Sequence, residues 1–392
     1  MPKISKENIA LICVSIGWFL IFSGRLSIST LLVTIEESFG MNHAQAGLAL
    51  TGMWFFYGFM QFPSGVISDL KGRKATIIAS MTIFSFAYLM IGLSVHYLMF
   101  FFMLILLGIG GGSFPTAGIA MLSDIFKERR GKALGIQSSF GSIAGIMPIV
   151  APIIASFNWR FFFFIWAALG ILSLYLFLTC TEESTKLPSG ESMLARFADS
   201  MAALKDRKII LIFSINLIAT LSWIGYISFF PTYLIESKMF TEIEAGISFA
   251  ILTLGGFVLK PLIGSLSDRY DKKVIMLFLI STSAIGTLSL VYFNSFIAIL
   301  LISFALSTSS AFFLVANSYL LGMWGERGRG GRLGFYRSLL ILTGSPTSAL
   351  IGAYATDGGF SFPFLVIALL LSIGALFLLV NIVFGGMEQE GM

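Results

Sequence analysis

Two cations, Arg25 and Lys260, stand inside long apolar runs with no acidic residue beside them. Of the 20 acidic residues, Glu36, Glu37, Glu236, Glu242, Glu244 and Asp357 fall at one set of run ends; the others fall at the opposite ends, in loops or in tails. An ionised group in hydrocarbon costs at least ~2.5–3.5 kcal/mol and ordinarily faces a wet cavity where it has a task. A guanidinium grips a carboxylate or phosphate through a bidentate fork, whereas an ammonium acts as a point charge. Two such cations without an embedded counter-charge are best satisfied by an anion between them. The alternative is structural: each snorkels or braces helix carbonyls.

Helical spacing suggests further lining for such a site. Trp18, Arg25 and Ser29 share one face, as do Trp54, Tyr57 and Gln61, then Trp223, Tyr226 and Phe230, then Ser303, Ser310 and Asn317. Aromatic faces more often pack than bind, while Tyr57, Gln61 and Asn317 have polar groups that need partners. The candidate anion-binding set is therefore Arg25, Lys260, Tyr57, Gln61, Trp223, Tyr226 and Asn317. Other chemistry is poorly provided for. Cys13 and Cys180 lie in apolar runs, His43 and His96 are far apart, and no nucleophile–base set is present. We expect neither an enzyme, nor a metal centre, nor a cofactor. The glycine run from Gly108 to Gly112 lies in an apolar stretch, where it serves helix packing.

The elements that position these residues follow from composition. The chain has 392 residues, 57% hydrophobic and only 11% charged, with 40 Phe, 40 Gly and a mean hydropathy of +0.92. A soluble domain carries about 25% charged residues, so this chain cannot wet its own surface and its solvent is lipid. Apolar stretches fall at about 9–35, 45–67, 75–95, 98–123, 133–156 and 160–180, then at 209–235, 245–266, 274–293, 296–323, 333–355 and 361–385. At ~20 residues per crossing these are all-α transmembrane spans. With the N-terminus inside, 20 of the 25 Lys and Arg fall on inner segments, and only Arg160 and Lys238 on outer loops. That bias predicts both termini in the cytoplasm. Arg25 lies eleven residues below Glu36, or ~16 Å along a helix, and Lys260 eight residues above Asp268, or ~12 Å. In a core ~30 Å thick both stand near mid-depth.

The sequence also repeats itself. At an offset of 199 residues, Gly65-Val-Ile-Ser-Asp69 meets Gly264-Ser-Leu-Ser-Asp268, and Ala46-Gly47 meets Ala245-Gly246. Arg130-Gly131-Lys-Ala-Leu-Gly135 meets Arg329-Gly330-Gly-Arg-Leu-Gly334 at the same offset. Tandem six-span units of this kind are an architecture of secondary transporters. The segment 181–208, with a short amphipathic stretch at Ser192–Leu204, separates an N-terminal bundle (1–180) from a C-terminal one (209–392).

Gly65-Val-Ile-Ser-Asp-Leu-Lys-Gly-Arg-Lys74 closely resembles the signature between spans 2 and 3 of the major facilitator superfamily. Glu128-Arg-Arg-Gly-Lys-Ala-Leu-Gly135 resembles its signature entering span 5, and Asn158-Trp-Arg160 its mark before span 6. The resemblance covers essentially the whole chain. It implies two six-helix bundles that rock about a central site, exposing it to each side in turn. Asp69, Arg73 and Arg130, with their repeat counterparts Asp268, Lys272 and Arg329, would then gate the cytoplasmic side. Arg337, about two turns inside span 11, would serve the same gate or its vestibule. For the loop cations the alternative is that they only set topology.

A narrower resemblance appears at Lys260-Pro-Leu-Ile-Gly264, which is similar to the Arg-Pro-x-x-Gly segment of monocarboxylate transporters; oxalate–formate exchangers also carry a cation in that region. Phe249 stands where proton-coupled members place an aspartate, which puts coupling through that position in doubt. A rival, drug efflux, ordinarily needs an embedded carboxylate and a Gly-Pro pair in span 5. Gly141-Ser-Ile-Ala-Gly145-Ile-Met-Pro148 shares only the glycine spacing. The sequence therefore predicts a monomeric secondary transporter in the cell membrane. Its partners are the lipid bilayer, a small organic anion, most of all a carboxylate, and a coupled proton or counter-anion; nucleic acid is not expected.

Overall fold

The computed structural model describes residues 6–182, 193–324 and 329–390, apart from the side chains of 193–196, 207, 329–330 and 385–390. Its described part is helical, and twelve spans form two six-helix bundles. Among the described residues eleven helices are long and apolar enough to cross a membrane. The twelfth span, His43–Lys71, has the length, at 29 residues, but is more polar. It carries Gln61, Ser64 and Ser68 buried against protein, Asp69 partly so, and Gln45 exposed at its start.

The first bundle contains span 1 (Lys6–Thr30, then Leu32–Phe39), span 2 (His43–Lys71), span 3 (Arg73–Gly92), span 4 (Tyr97–Ile125), span 5 (Arg130–Ile143, Ala144–Ile146, Met147–Ala155) and span 6 (Trp159–Cys180). The second contains span 7 (Arg207–Lys238), span 8 (Glu242–Ser267), span 9 (Lys272–Tyr292), span 10 (Phe296–Leu306, Thr308–Met323), span 11 (Arg329–Gly344, Thr347–Gly358) and span 12 (Ser361–Glu390). A helix at Met193–Ala203 lies between them in the chain. Span 1, expected as one run, turns at Leu31. The Ser27 and Thr30 hydroxyls bond back to the Ser23 and Leu26 carbonyls just before it, a pattern that bends helices.

The repeat reaches into local geometry. Spans 2 and 8 each begin with a reciprocal cap in which side chain and backbone satisfy one another's first-turn donors. In span 2 Gln45 N–H donates to Asn42 Oδ1 at 2.9 Å and Asn42 N–H to Gln45 Oε1 at 3.0 Å. In span 8 Glu244 N–H donates to Thr241 Oγ1 at 3.2 Å and Thr241 N–H to Glu244 Oε2 at 2.9 Å. Both cap residues and both partners are 199 apart. So are Ser29 and Ser228, and these two touch: Ser29 Oγ donates to the Ser228 carbonyl at 3.1 Å. Equivalent atoms meet only near the axis that relates the two halves, so spans 1 and 7 flank that axis.

Small residues set the closest approaches. A Cβ on Gly108 would stand 2.3 Å from the Met53 carbonyl oxygen, and one on Gly112 2.3 Å from that of Tyr57. The glycine run of span 4 is thus the bed on which span 2 lies. Gly65 is close against Thr116, at 3.0 Å, while its counterpart Gly264 has only ordinary contact with Leu314, at 3.6 Å. Between the bundles, Gly47 meets the Ser348 carbonyl and Gly246 the Pro148 carbonyl, each at 2.3 Å. Two repeat-related seams, span 2 on span 11 and span 8 on span 5, therefore close the face opposite the termini. Toward the terminal face, span 5 leaves open space at Gly131 and Gly135.

Gly108→Leu should displace span 2, and overpacking of this kind costs about 1–3 kcal/mol. A thermal unfolding scan of the purified protein should show a lowered midpoint for Gly108→Leu and an unchanged one for Gly135→Ala.

Candidate functional site

Arg25 is 6% exposed and its guanidinium is boxed by aromatic rings. Its Cζ lies 4.4 Å from the Tyr57 ring centroid, 5.1 Å from that of Phe22 and 5.2 Å from that of Trp54. Phe22 is supplied one turn earlier on span 1, and the other two by the face of span 2 that rests on the span 4 glycines. Desolvated cation–π contacts are worth about 2 kcal/mol, which offsets part of the burial. The faces of the rings hold the charge but leave its hydrogen-bond donors idle. Arg25 Nε, Trp54 Nε1 and Gln61 Nε2 are all buried with no acceptor among the described residues. An orphaned buried donor costs about 1–3 kcal/mol, and all three of these atoms are donors. Such a set calls for an acceptor, and above all for an anion.

The other expected site residues divide. Tyr57, 4% exposed, lies against Arg25, and Gln61, 5% exposed, is buried one turn further along the same face of span 2. Lys260 is half-buried on span 8, its Cε packed by Gly256, which is also where the Ser310 hydroxyl comes in from span 10. Gln61 and Lys260 are 199 apart, so they are repeat counterparts on spans 2 and 8. Among the described residues, the ion pairs include neither Arg25 nor Lys260. Tyr226 is turned into the second bundle, where its hydroxyl shares a hydrogen bond with Thr287 and its ring stacks on Phe364. Trp223 is partly buried against Phe313, and Asn317 is partly buried on span 10. None of these three is among the rings that meet Arg25.

At the terminal face Arg73 forms ion pairs with Asp69 and, through Nε at 3.2 Å, with Asp124. This links spans 2, 3 and 4 within the first bundle rather than spanning the two. The second bundle does not reproduce it, because the counterpart of Asp124 is Met323, and Asp268 is exposed. Arg130 and Arg337 are exposed and Lys272 half-exposed; the side chain of Arg329 lies outside the described residues. What joins the bundles here is Phe62 of span 2 against Phe335 of span 11, with Phe197 of the connecting helix on both. Arg332 of span 11 also forms a two-pronged pair with Asp199 of that helix, at 2.9 Å for each prong. On the opposite face Asn158 caps span 6, Trp159 Nε1 donates to Ser38, and Arg160 donates to the Ser94 carbonyl at 2.9 Å. The Asn-Trp-Arg mark is thus a clasp on spans 1, 3 and 6.

One constellation escaped the sequence. His43, at the start of span 2, lies between Glu36 of span 1 and Glu236 of span 7. Glu36 and Glu236 fall at one set of span ends and His43 follows Glu36 by seven residues, which is the signal the sequence offers.

The twelve-helix duplicated architecture now meets comparison with known proteins. The sequence profile described as Major Facilitator Superfamily matches residues 13–238 and 212–386. The chain belongs to that superfamily. It is a multi-pass membrane protein and a secondary transporter, not an enzyme. It is 26% identical to the "Probable sulfoacetate transporter SauU" of Cupriavidus necator, over 95% of this chain and 93% of that one. It is 27% identical to the "Multidrug resistance protein MdtG" of Escherichia coli (strain SMS-3-5 / SECEC), over 78% and 76% of the two chains. In structure it resembles the nucleoside transporter NupG with a TM-score of 0.77, at 16% identity, covering 96% of this chain and 99% of that one.

Arg73→Ala would leave Asp69 and Asp124 facing one another without their shared cation. Its effect on the unfolding midpoint should exceed that of Arg332→Ala, whose exposed pair is worth ~0.2–1 kcal/mol. Equal effects in parallel thermal scans would show that the Arg73 cluster contributes no more than a surface pair.

Proposed function

We propose that this transporter carries a small organic anion, of the carboxylate class, by alternating access. The observation that carries the proposal is the buried set of donors without an acceptor: Arg25 Nε, Trp54 Nε1 and Gln61 Nε2. An anionic ligand would supply the missing acceptors, and charge-assisted bonds to an anion are roughly twice as strong as neutral ones. Similarity to a relative whose name includes sulfoacetate transport, along nearly the full length of both chains, supports an anionic substrate.

In this reading residues 1–180 and 209–392 are the two moving bundles and 181–208 a cytoplasmic linker. The face bearing the termini is the cytoplasmic side of the cell membrane, and the chain works as a monomer. Arg25 recognises the anion from the first bundle and Lys260 approaches from the second. The empty cavity holds two cations that repel one another; an anion neutralises them and favours closure. The coupled species is a proton or a counter-anion. Asp69, Arg73, Arg130, Asp268, Lys272, Arg329 and Arg337 line the cytoplasmic entrance, and Trp223 and Asn317 complete the far wall, with Tyr226 bracing it from within the second bundle through Thr287. Similarity to MdtG favours a second reading, efflux of an amphiphile. An apolar groove of about 370 Å³ between spans 1, 5 and 6, walled by Phe19, Phe140 and Leu172 among others, is the surface that would serve it.

A thermal-stability screen against carboxylates, sulfonates, organic cations and neutral drugs separates the two. A ligand at 100 times its dissociation constant stabilises the folded state by about 2.7 kcal/mol. An organic anion should raise the midpoint of the wild type, and Arg25→Gln and Lys260→Gln should each weaken its binding by about tenfold or more, equivalent to ~1.4 kcal/mol. Stabilisation by cations or neutral drugs alone, unchanged in both variants, would overturn the anion site in favour of efflux.

A further inference from the structure

The face opposite the termini is held by a second kind of contact besides its glycine seams. His43 Nδ1 lies 3.0 Å from Glu36 Oε2 and 3.1 Å from Oε1, and His43 Nε2 lies 2.9 Å from Glu236 Oε2. The ring packs on Phe360, with centroids 5.0 Å apart. The backbone of His43 is pinned as well, since Gly352 of span 11 sits against its carbonyl. Glu36 and His43 belong to the first bundle, whereas Glu236 ends span 7 of the second. The imidazole therefore bridges the bundles. All three groups lie beyond the apolar stretches 9–35, 45–67 and 209–235, at the mouth rather than in the hydrocarbon.

Both ring nitrogens face carboxylate oxygens. A neutral imidazole has one donor nitrogen and one acceptor, and an acceptor cannot face a carboxylate at this distance. The triad is satisfied only if it holds one extra proton, so that both nitrogens donate. The three groups have ligand atoms within 4.8 Å of one another. The carboxylates, however, meet opposite edges of the ring, and a single metal ion would reach only one nitrogen.

We propose that His43, Glu36 and Glu236 form a proton-operated latch that locks the face opposite the termini when a proton is bound and releases it when the proton leaves. The proposal rests on the alternating-access reading but not on the identity of the substrate. Separating the bundles takes Glu236 away from Nε2, removing the larger of the two bonds that raise His43 and moving it toward its ordinary value of ~6.5, with Glu36 of the same bundle still beside Nδ1. In the closed arrangement the hydrogen bond to Glu236, then that to Glu36, holds the imidazole up at about 10. Closure therefore takes up a proton anywhere between these values. The closed state has its full advantage below the ordinary imidazole range and loses it as the pH rises toward about 10. Burial acts on Glu36 in the same direction, pushing its carboxyl up and helping the triad keep its proton.

The other charges at this mouth are occupied or solvated. Glu242, the repeat counterpart of His43, accepts from Thr34 across the bundles at 3.1 Å. Glu244 caps span 8, and Lys238 donates to the Val291 carbonyl and to Asn294. Arg160 is held on the Ser94 carbonyl, and Glu37 and Asp357 are exposed.

Electron–electron distance measurements between spin labels test the latch. The labels are placed at Val95→Cys and Tyr292→Cys, both strongly exposed on this face, one in each bundle, with Cys13 and Cys180 replaced by alanine. The full chain is studied in lipid nanodiscs without substrate, from pH 6 to pH 10. The wild type should show short (closed) and long (open) distances whose ratio falls with rising pH, by up to about tenfold per unit between the open-state and closed-state values of the imidazole, and is flat below ~6.5. His43→Lys keeps a cation that does not titrate there and should stay closed throughout. His43→Gln should be more open at low pH and insensitive to it, and Glu236→Gln should lower the closed fraction with a shallower slope. A wild-type ratio that does not change with pH overturns the latch, as does either His43 variant titrating like the wild type. The measurement uses no anion, so its failure is distinct from a failure of the anion site.

Discussion

A cation sunk in hydrocarbon must be surrounded by something that tolerates its charge, and much of the first bundle is arranged around that need. Arg25 meets the faces of Phe22, Trp54 and Tyr57. Those rings are in reach because span 2 lies directly on the backbone of span 4, and it can do so because Gly108 and Gly112 present no side chain. The same arrangement spends no oxygen on the guanidinium. Rings attract a cation through their faces without accepting its N–H bonds, so the charge is held in place and its donors remain free for a ligand. A carboxylate in the wall would have neutralised Arg25 and removed the reason for an anion to bind.

Duplication and divergence both leave their mark. The paired helix caps, the paired glycine seams and the Ser29–Ser228 contact keep the two halves as copies in their scaffold. Charge is where they part. Lys260 stands where the first half has Gln61, Asp124 has become Met323, and His43 has become Glu242. The framework needs like surfaces to close on like surfaces, whereas a site lying between the halves must present different groups from its two sides.

The fold was legible in the sequence because lipid leaves few options: every backbone polar group must be paired within a span, so apolar length alone locates the helices. The repeat then shows which spans are equivalent, and helical spacing puts Trp54, Tyr57 and Gln61 on one face of span 2. Contacts made by tertiary approach were harder to see. Tyr226 was placed with the site from its face on span 7, yet Thr287 claims its hydroxyl from span 9. Asp69 reads from the repeat as part of a cytoplasmic gate, while its tie through Arg73 to Asp124, within the first bundle, has no local signal. The break of span 1 at Leu31 depends on hydroxyl bonds to carbonyls a turn earlier, which hydropathy does not register. Glu36, His43 and Glu236 come from three separate span ends, and no local pattern joins them.

The contact between Ser29 and the Ser228 carbonyl sits one helical turn from Arg25, close to the middle of the membrane and to the axis between the halves. When one rigid body tilts against another, displacement grows with distance from the fulcrum. This hydroxyl is therefore among the atoms that travel least, while the mouths at either end travel most. The proposed anion site would stand beside the fulcrum and keep its shape through the stroke, while the seams and aromatic contacts far from it would take the whole swing of the lever.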